Sequence, residues 1–128
     1  MILLLDTSTS LCKLVFVDDG SSHNCEWQAD RQLARGLLSF LDEKLKLFNK
    51  NWNDISAIGV FQGPGSFTGL RIGITVMNTI ADAQNIPIVG SHGDHWQDEI
   101  MEKLKSGCNE KIVLPFYGSD PRITNPRK

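Results

Sequence analysis

Apolar and polar positions change rhythm several times along the chain, and each change marks an element. Residues 2–5 form an unbroken apolar run, and residues 12–18 mix apolar with alternating polar positions; both read as strands. The second ends at Asp18, Asp19 and Gly20, residues suited to a hairpin turn that returns the chain into a third strand near residues 23–29. From Gln32 to Phe48 the period becomes helical, with Leu33, Leu37, Leu41, Leu45 and Phe48 on one stripe. Residues 55–61 are continuously apolar with no interior charge, as a central strand covered on both faces requires. A second helix is predicted over 67–84 and a fifth, β-branched strand over 86–90. Ser91 then offers an N-cap for a third helix, with Asp94 three residues on and Gly107 at its end. Residues 111–128 hold one short strand-like piece and three prolines, and are predicted to lie extended on the surface. Leu114 to Tyr117 should pack on the domain, and Thr124 to Lys128 should be loose.

The order β-β-β-α-β-α-β-α predicts an α/β fold of the ribonuclease-H-like type, with a mixed five-stranded sheet. Right-handed crossovers place the first two helices on one face and return later strands beside the first. One domain over 1–111 with a proline-rich tail over 112–128 accounts for the 128 residues. A net charge of -2 supplies no basic field for nucleic acid, so any RNA contact is expected to run through a partner. Cys12, Cys25 and Cys108 are odd in number and form no C-x-x-C pair, which points to reduced thiols. The run at 2–5 is far too short for a signal sequence or a membrane span, so a cytoplasmic protein is expected.

Four glycines crowd the segment GPGSFTGLRIG at 63–73. It is not a P-loop, because no lysine occurs between Lys50 and Lys103, and a dinucleotide-binding G-x-G-x-x-G needs glycine at Thr68. What remains is a tight turn, Gly63, Pro64, Gly65, delivering Ser66 as N-cap to a helix; free amides there would suit an anion, though strand-to-helix turns use glycine without any ligand. Gly69 and Gly73 inside that helix each cost about 1 kcal/mol relative to alanine, and close approach of another helix is the usual compensation. Arg71, Thr75, Asn78 and Asp82 form one narrow polar stripe, and the rest of the circumference is apolar or small. The first helix has a similar surplus, with Leu33, Ala34, Leu37, Leu38, Phe40, Leu41, Leu45, Leu47 and Phe48. Both helices therefore have more apolar surface than one sheet covers, which predicts either mutual packing or a partner.

Rival chemistries are weaker. A two-metal nuclease needs carboxylates from several strands; Asp6 supplies one, but residues 55–61 offer none, so Asp6 reads as a turn or capping group. An actin-like ATPase or sugar kinase, hinted at by LDTSTS at 5–10, needs a second domain to close over ATP. His92 and His95 with Asp98 or Glu99 share helical spacing for a metal, a pattern commoner on solvated surface. Trp27, Trp52 and Trp96 read as packing residues, because no basic stretch accompanies them.

MILLLDTSTS at 1–10, GPGSFTGLRIG at 63–73 with its small-residue helix, and IPIVGSHG at 86–93 together resemble the N-terminal half of the TsaB family, bacterial threonylcarbamoyladenosine-biosynthesis proteins. The resemblance runs from Met1 to about Ser91, and LPFYGSDPRITNPRK is similar to the tail that closes many members. Typical members are nearly twice as long and carry a degenerate second domain of the same fold, most of which this chain lacks. A histidine that members tend to have near the start of the first helix is Gln32 here, so its role is not carried over. The resemblance implies an actin-like ATPase domain that has lost its metal and phosphate residues: a non-catalytic scaffold with no cofactor, ATP entering only in the complex. It implies binding to a TsaD-like catalytic subunit through two helices from each protein, with a TsaE-like ATPase. That machinery transfers a threonylcarbamoyl group to adenosine 37 of tRNAs reading codons that begin with A. With the partner absent, the two wide apolar helix faces would meet water, which predicts self-association as a homodimer; contact with tRNA is expected to be indirect, and no membrane contact is expected. The two helices in that bundle are the two with surplus apolar surface, so the interface is expected at Leu33, Leu37, Leu41, Gly69, Gly73, Val76 and Ile80.

Overall fold

The computed structural model describes residues 1–116. The expectations for Tyr117, for Thr124 to Lys128 and for the remainder of the 112–128 tail beyond 116 lie outside the described residues. Five strands, β1 (Ile2–Asp6), β2 (Leu11–Asp18), β3 (Ser21–Gln28), β4 (Ala57–Phe61) and β5 (Ile88–Ser91), form one sheet in the order β3-β2-β1-β4-β5. Pairing is antiparallel within the meander and parallel for β1–β4 and β4–β5. The helices are α1 (Leu33–Leu47), α2 (Phe67–Gln84) and α3 (Trp96–Lys105). This is the mixed sheet and element order that the hydrophobic rhythm predicts.

The hairpin between β2 and β3 turns on Asp19 and Gly20 with φ of 46° and 80°, the two positive values that match the right-handed twist of a two-residue turn. Strict alternation then sorts the side chains. Cys12, Leu14 and Phe16 join Leu3, Leu5, Ile58 and Val60 on the face covered by α1 and α2, against Leu37, Leu41, Leu45, Leu70, Ile74 and Met77. Leu4, Val15 and Val89 face the other way, under Ile100 of α3. Each large apolar side chain withdrawn from water contributes about 1.5–3 kcal/mol, so the α1/α2 side carries most of the stability. α3 lies close to the sheet because Gly59 leaves room: a Cβ there would sit 2.6 Å from Ile100 Cγ2 and 2.7 Å from Leu4 Cδ2.

Two expectations are corrected. Ser91 is not a helix cap; it is the last residue of β5, opposite Phe61, and its hydroxyl donates to Glu99, while α3 begins at Trp96 with His95 at the cap position. Parallel pairing with β4 holds the chain extended through Ser91 and outweighs the local capping pattern. Residues 111–116 form no strand; they run as a strap beside α2, with Val113 buried over Gly90. Asn78 clamps the strap by donating to the Val113 carbonyl and accepting from its amide, each at 2.9 Å. Gln62 donates to the Leu114 carbonyl and accepts from the Phe116 amide, both at 2.7 Å.

Candidate functional site

β4 ends beside the tip of β1, and the chain must reverse there to enter α2. Gly63 takes φ of 129°, a conformation that favours glycine, and Ser66 caps α2 by accepting from the Gly69 amide at 3.2 Å. The Ser66 amide donates to the Ser8 carbonyl at 2.7 Å. A Cβ on Gly65 would run into Ser8, one on Gly69 into the Thr7 carbonyl, and one on Gly73 into the Thr7 hydroxyl, with the Thr7 methyl at 2.8 Å. Thr7, 2% exposed, donates its hydroxyl to the Gly69 carbonyl at 2.7 Å. The glycine segment is therefore a saddle that seats α2 on residues 7 and 8. Gly63, Pro64, Gly65 and Ser66 act as a turn whose Ser66 amide and hydroxyl are engaged within the chain.

This corrects the expected interface. Gly69 and Gly73 approach β1's tip and not another helix, and Leu33, Leu37 and Leu41 are sealed beneath α1. Of the expected residues, Val76 and Ile80 reach the outer surface as half-buried side chains, and Gly69 is half-buried where it lines the seam near the start of α2. The apolar positions that join them outside are Ala34 and Leu38 of α1, with Ile72 and Ala83 of α2; Leu38 is 55% exposed. Two shallow grooves follow the α1–α2 seam. One, of about 410 Å³, is lined by Ala34, Thr68, Arg71, Ile72, Thr75 and Val76. The other, of about 480 Å³, includes Leu38, Asp42, Trp52, Thr79, Ile80 and Ala83. A third cavity of about 320 Å³ continues the seam toward the start of α2, between Ser10, Arg31, Ser66 and Thr68.

Polar groups frame this strip. Arg71 lies over the Phe67 ring at 5.1 Å, and Asp42 pairs with Lys46 at 2.9 Å one turn on. The hydrogen bond from Lys46 holds the Asp42 carboxyl below the usual carboxylate range, with further help from Trp52. The strip is a surface of small and aliphatic side chains with charge at its margins.

The rival sites do not assemble. Asp6 accepts from the Ser8 amide at 2.8 Å, the turn-capping role expected of it. His92 stacks on Phe116, and Glu99 is engaged by Ser91; among the described residues no three His, Cys, Asp or Glu side chains are grouped to hold a metal ion. Trp27 packs on Phe40 and against Gly36, and Trp96 packs on Phe61. Cys12, Cys25 and Cys108 are free thiols, and burial, reinforced by the Asp6 carboxylate, pushes the Cys12 thiol up to about 12. No helix among the described residues is long and apolar enough to cross a membrane.

Comparison with known proteins gives this geometry a context. The family model described as TsaD, tRNA N6-adenosine threonylcarbamoyltransferase, matches residues 27–95. The chain is 32% identical over 89 residues to the tRNA threonylcarbamoyladenosine biosynthesis protein TsaB of Escherichia coli, covering 70% of this chain and 38% of that protein. It is 39% identical over 103 residues to the tRNA N6-adenosine threonylcarbamoyltransferase of Bacillus anthracis, covering 71% of this chain and 30% of that one. Among solved structures, YeaZ from Pseudomonas aeruginosa superposes with a TM-score of 0.66 at 31% identity, over 71% of this chain and 43% of that one. The chain thus spans less than half the length of these relatives.

Proposed function

The chain belongs to the TsaD family as a TsaB-like member, and we propose that it serves threonylcarbamoyladenosine biosynthesis as a non-catalytic scaffold that docks a TsaD-like subunit on the outer face of α1 and α2. The observation that carries this reading is the strip Ala34, Leu38, Ile72, Val76, Ile80 and Ala83 along the α1–α2 seam: Ile72, Val76 and Ile80 pack on the core by one side and stay half-exposed on the other, and Ala34, Leu38 and Ala83 are exposed. Helix-on-helix packing against it would bury aliphatic side chains in grooves already formed, with Arg71 and Asp42 at the rim to set orientation. In this role the chain contributes no reacting group, binds no cofactor of its own, and meets tRNA only through the complex. A TsaE-like ATPase joins at the level of that complex, in the cytoplasm.

The reading is tested by titrating the purified chain with the TsaD-like subunit of the same organism. Val76→Glu places a charge in the groove at a half-buried surface position and is expected to weaken binding by about a hundredfold, while Lys105→Glu on α3 leaves it unchanged. Undiminished binding by Val76→Glu would move the docking site elsewhere.

A further inference from the structure

The segment that follows α3 is attached in two different ways. Its first part, Asn109 and Glu110, finishes the outer edge of β5. The Ile88 amide donates to Asn109 Oδ1 at 3.1 Å, the Ile88 carbonyl accepts from the Glu110 amide at 2.9 Å, and the Gly90 amide donates to Glu110 Oε1 at 2.7 Å. Lys111 then turns the chain with φ of 66°, and what lies beyond it is held by another set of groups. Asn78 engages both the amide and the carbonyl of Val113, and Gln62 engages the Leu114 carbonyl and the Phe116 amide. The Val113 side chain, 2% exposed, fills a socket floored by Gly90, where a Cβ would stand 2.6 Å from Val113 Cγ1. The Phe116 ring lies on the His92 imidazole, with centroids 3.9 Å apart and planes 15° apart. Ile112 and Leu114, both larger than Val113, are left 68% and 69% exposed.

A segment serving the core would bury its larger aliphatic side chains, whereas this one buries the smaller and presents the larger two to water. Main-chain hydrogen bonds, a socket for one side chain and an aromatic platform for another three residues on are the means by which clefts take extended peptides. Pro115 fixes its own φ and biases Leu114 toward extended backbone, so the segment loses little freedom on entering the cleft.

We propose that the cleft between α2 and β5 is a binding site for an extended aliphatic-x-Pro-aromatic segment of a partner protein, and that residues 112–116 occupy it in cis. Exchange is local. Releasing residues 112–116 gives up the Val113 socket, the His92 stack and the hydrogen bonds of Asn78 and Gln62, and leaves the β5 edge finished by Asn109 and Glu110. The cis segment competes as an intramolecular ligand, so an incoming peptide binds with an affinity reduced by the fraction of time the cleft stands open. Gln62, Asn78, Gly90 and His92 line neither groove of the α1–α2 seam, so this site goes beyond docking of a TsaD-like subunit and stands or falls separately.

Fluorescence anisotropy with the labelled peptide Ile-Val-Leu-Pro-Phe tests this. In the Val113→Asp chain the cis segment carries a carboxylate that the socket cannot solvate. This variant is expected to bind the peptide with a dissociation constant of tens of micromolar, about tenfold or more tighter than the parent chain. Adding Asn78→Ala to that variant, or replacing the peptide's valine by aspartate, should weaken binding by about tenfold or more. Hydrogen exchange on the parent chain provides a second readout that needs no variant to fold. Excess unlabelled peptide should accelerate exchange at the Val113 amide and leave the Ile88 amide, held by Asn109, unchanged. A folded Val113→Asp chain that ignores the peptide, binding indifferent to Asn78 or to the peptide's valine, or unchanged exchange at Val113 would overturn the proposal. So would a second copy's strap filling the vacated cleft, seen as a dimer of the parent with the Val113→Asp chain.

Discussion

Leu37 and Leu38 are consecutive residues of α1 with opposite fates: Leu37 is fully buried and Leu38 is 55% exposed. α2 repeats the contrast, with Gly73 pressed on Thr7 while Ile72 lines the outer groove. A helix turns about 100° per residue, so adjacent positions serve different neighbours, and an apolar surface wider than one contact needs is two surfaces side by side. The inner one is consumed by the sheet. The outer one stays partly open along the α1–α2 seam, and its residues are not the ones that a stripe of leucines singles out.

The comparison breaks if the two surfaces respond alike, and the largest response is expected inside. Leu37→Ala should cost about 2–5 kcal/mol in denaturant unfolding, because a cavity opens in a packed core, whereas Leu38→Ala should stay within about 0.5 kcal/mol. Equal losses would mean that Leu38 is part of the core. Gly73→Ala sharpens the point on α2. Intrinsic helix propensity favours the change by about 1 kcal/mol, yet the new methyl collides with Thr7, so a net loss of about 1–2 kcal/mol is expected. A double-mutant cycle with Thr7→Ala, which removes the hydroxyl and methyl in the way, should show the cost shrinking; a stabilising Gly73→Ala would mean the saddle is absent.

Asn78 tests the flank of α2 that faces the strap. Removing its amide in Asn78→Ala leaves the Val113 amide and carbonyl unpaired, at a cost of about 1–3 kcal/mol, and hydrogen exchange at Val113 should accelerate. Unchanged exchange would leave the strap anchored by Gln62 alone. The smallest effect is chemical. With its thiol pushed up to about 12, Cys12 holds only about one thiolate in ten thousand at pH 8, so iodoacetamide followed by mass spectrometry should label the half-exposed Cys108 first and leave Cys12 unmodified in the folded protein.

Periodicity made most of the fold legible. The bounds of α1 and α2, the hairpin at Asp19 and Gly20, and the buried β4 all follow from local patterns, because period and turn chemistry are local physics. What was not legible depends on distant partners. Ser91 looks like a cap until β4 is known to lie beside it, and Asn78 looks like one member of a solvated stripe until Val113 arrives from 35 residues away. The glycines at 69 and 73 announced a close approach correctly, but sequence carries no signal that Thr7, rather than another helix, is what approaches. The same gap moved the candidate interface by one residue around α1. A wheel shows how wide the apolar face is and not which part of it the sheet takes.

The account rests on the exposed side of the outer strip, Leu38 above all, being a binding surface beyond what the fold requires. Leu38→Glu, measured by calorimetric titration against the TsaD-like subunit alongside a thermal melt, tests that directly. The expected result is a melting temperature within about 2 °C of the parent and an affinity lower by about a hundredfold. Full affinity at an unchanged melting temperature, or a variant that fails to fold, would contradict it.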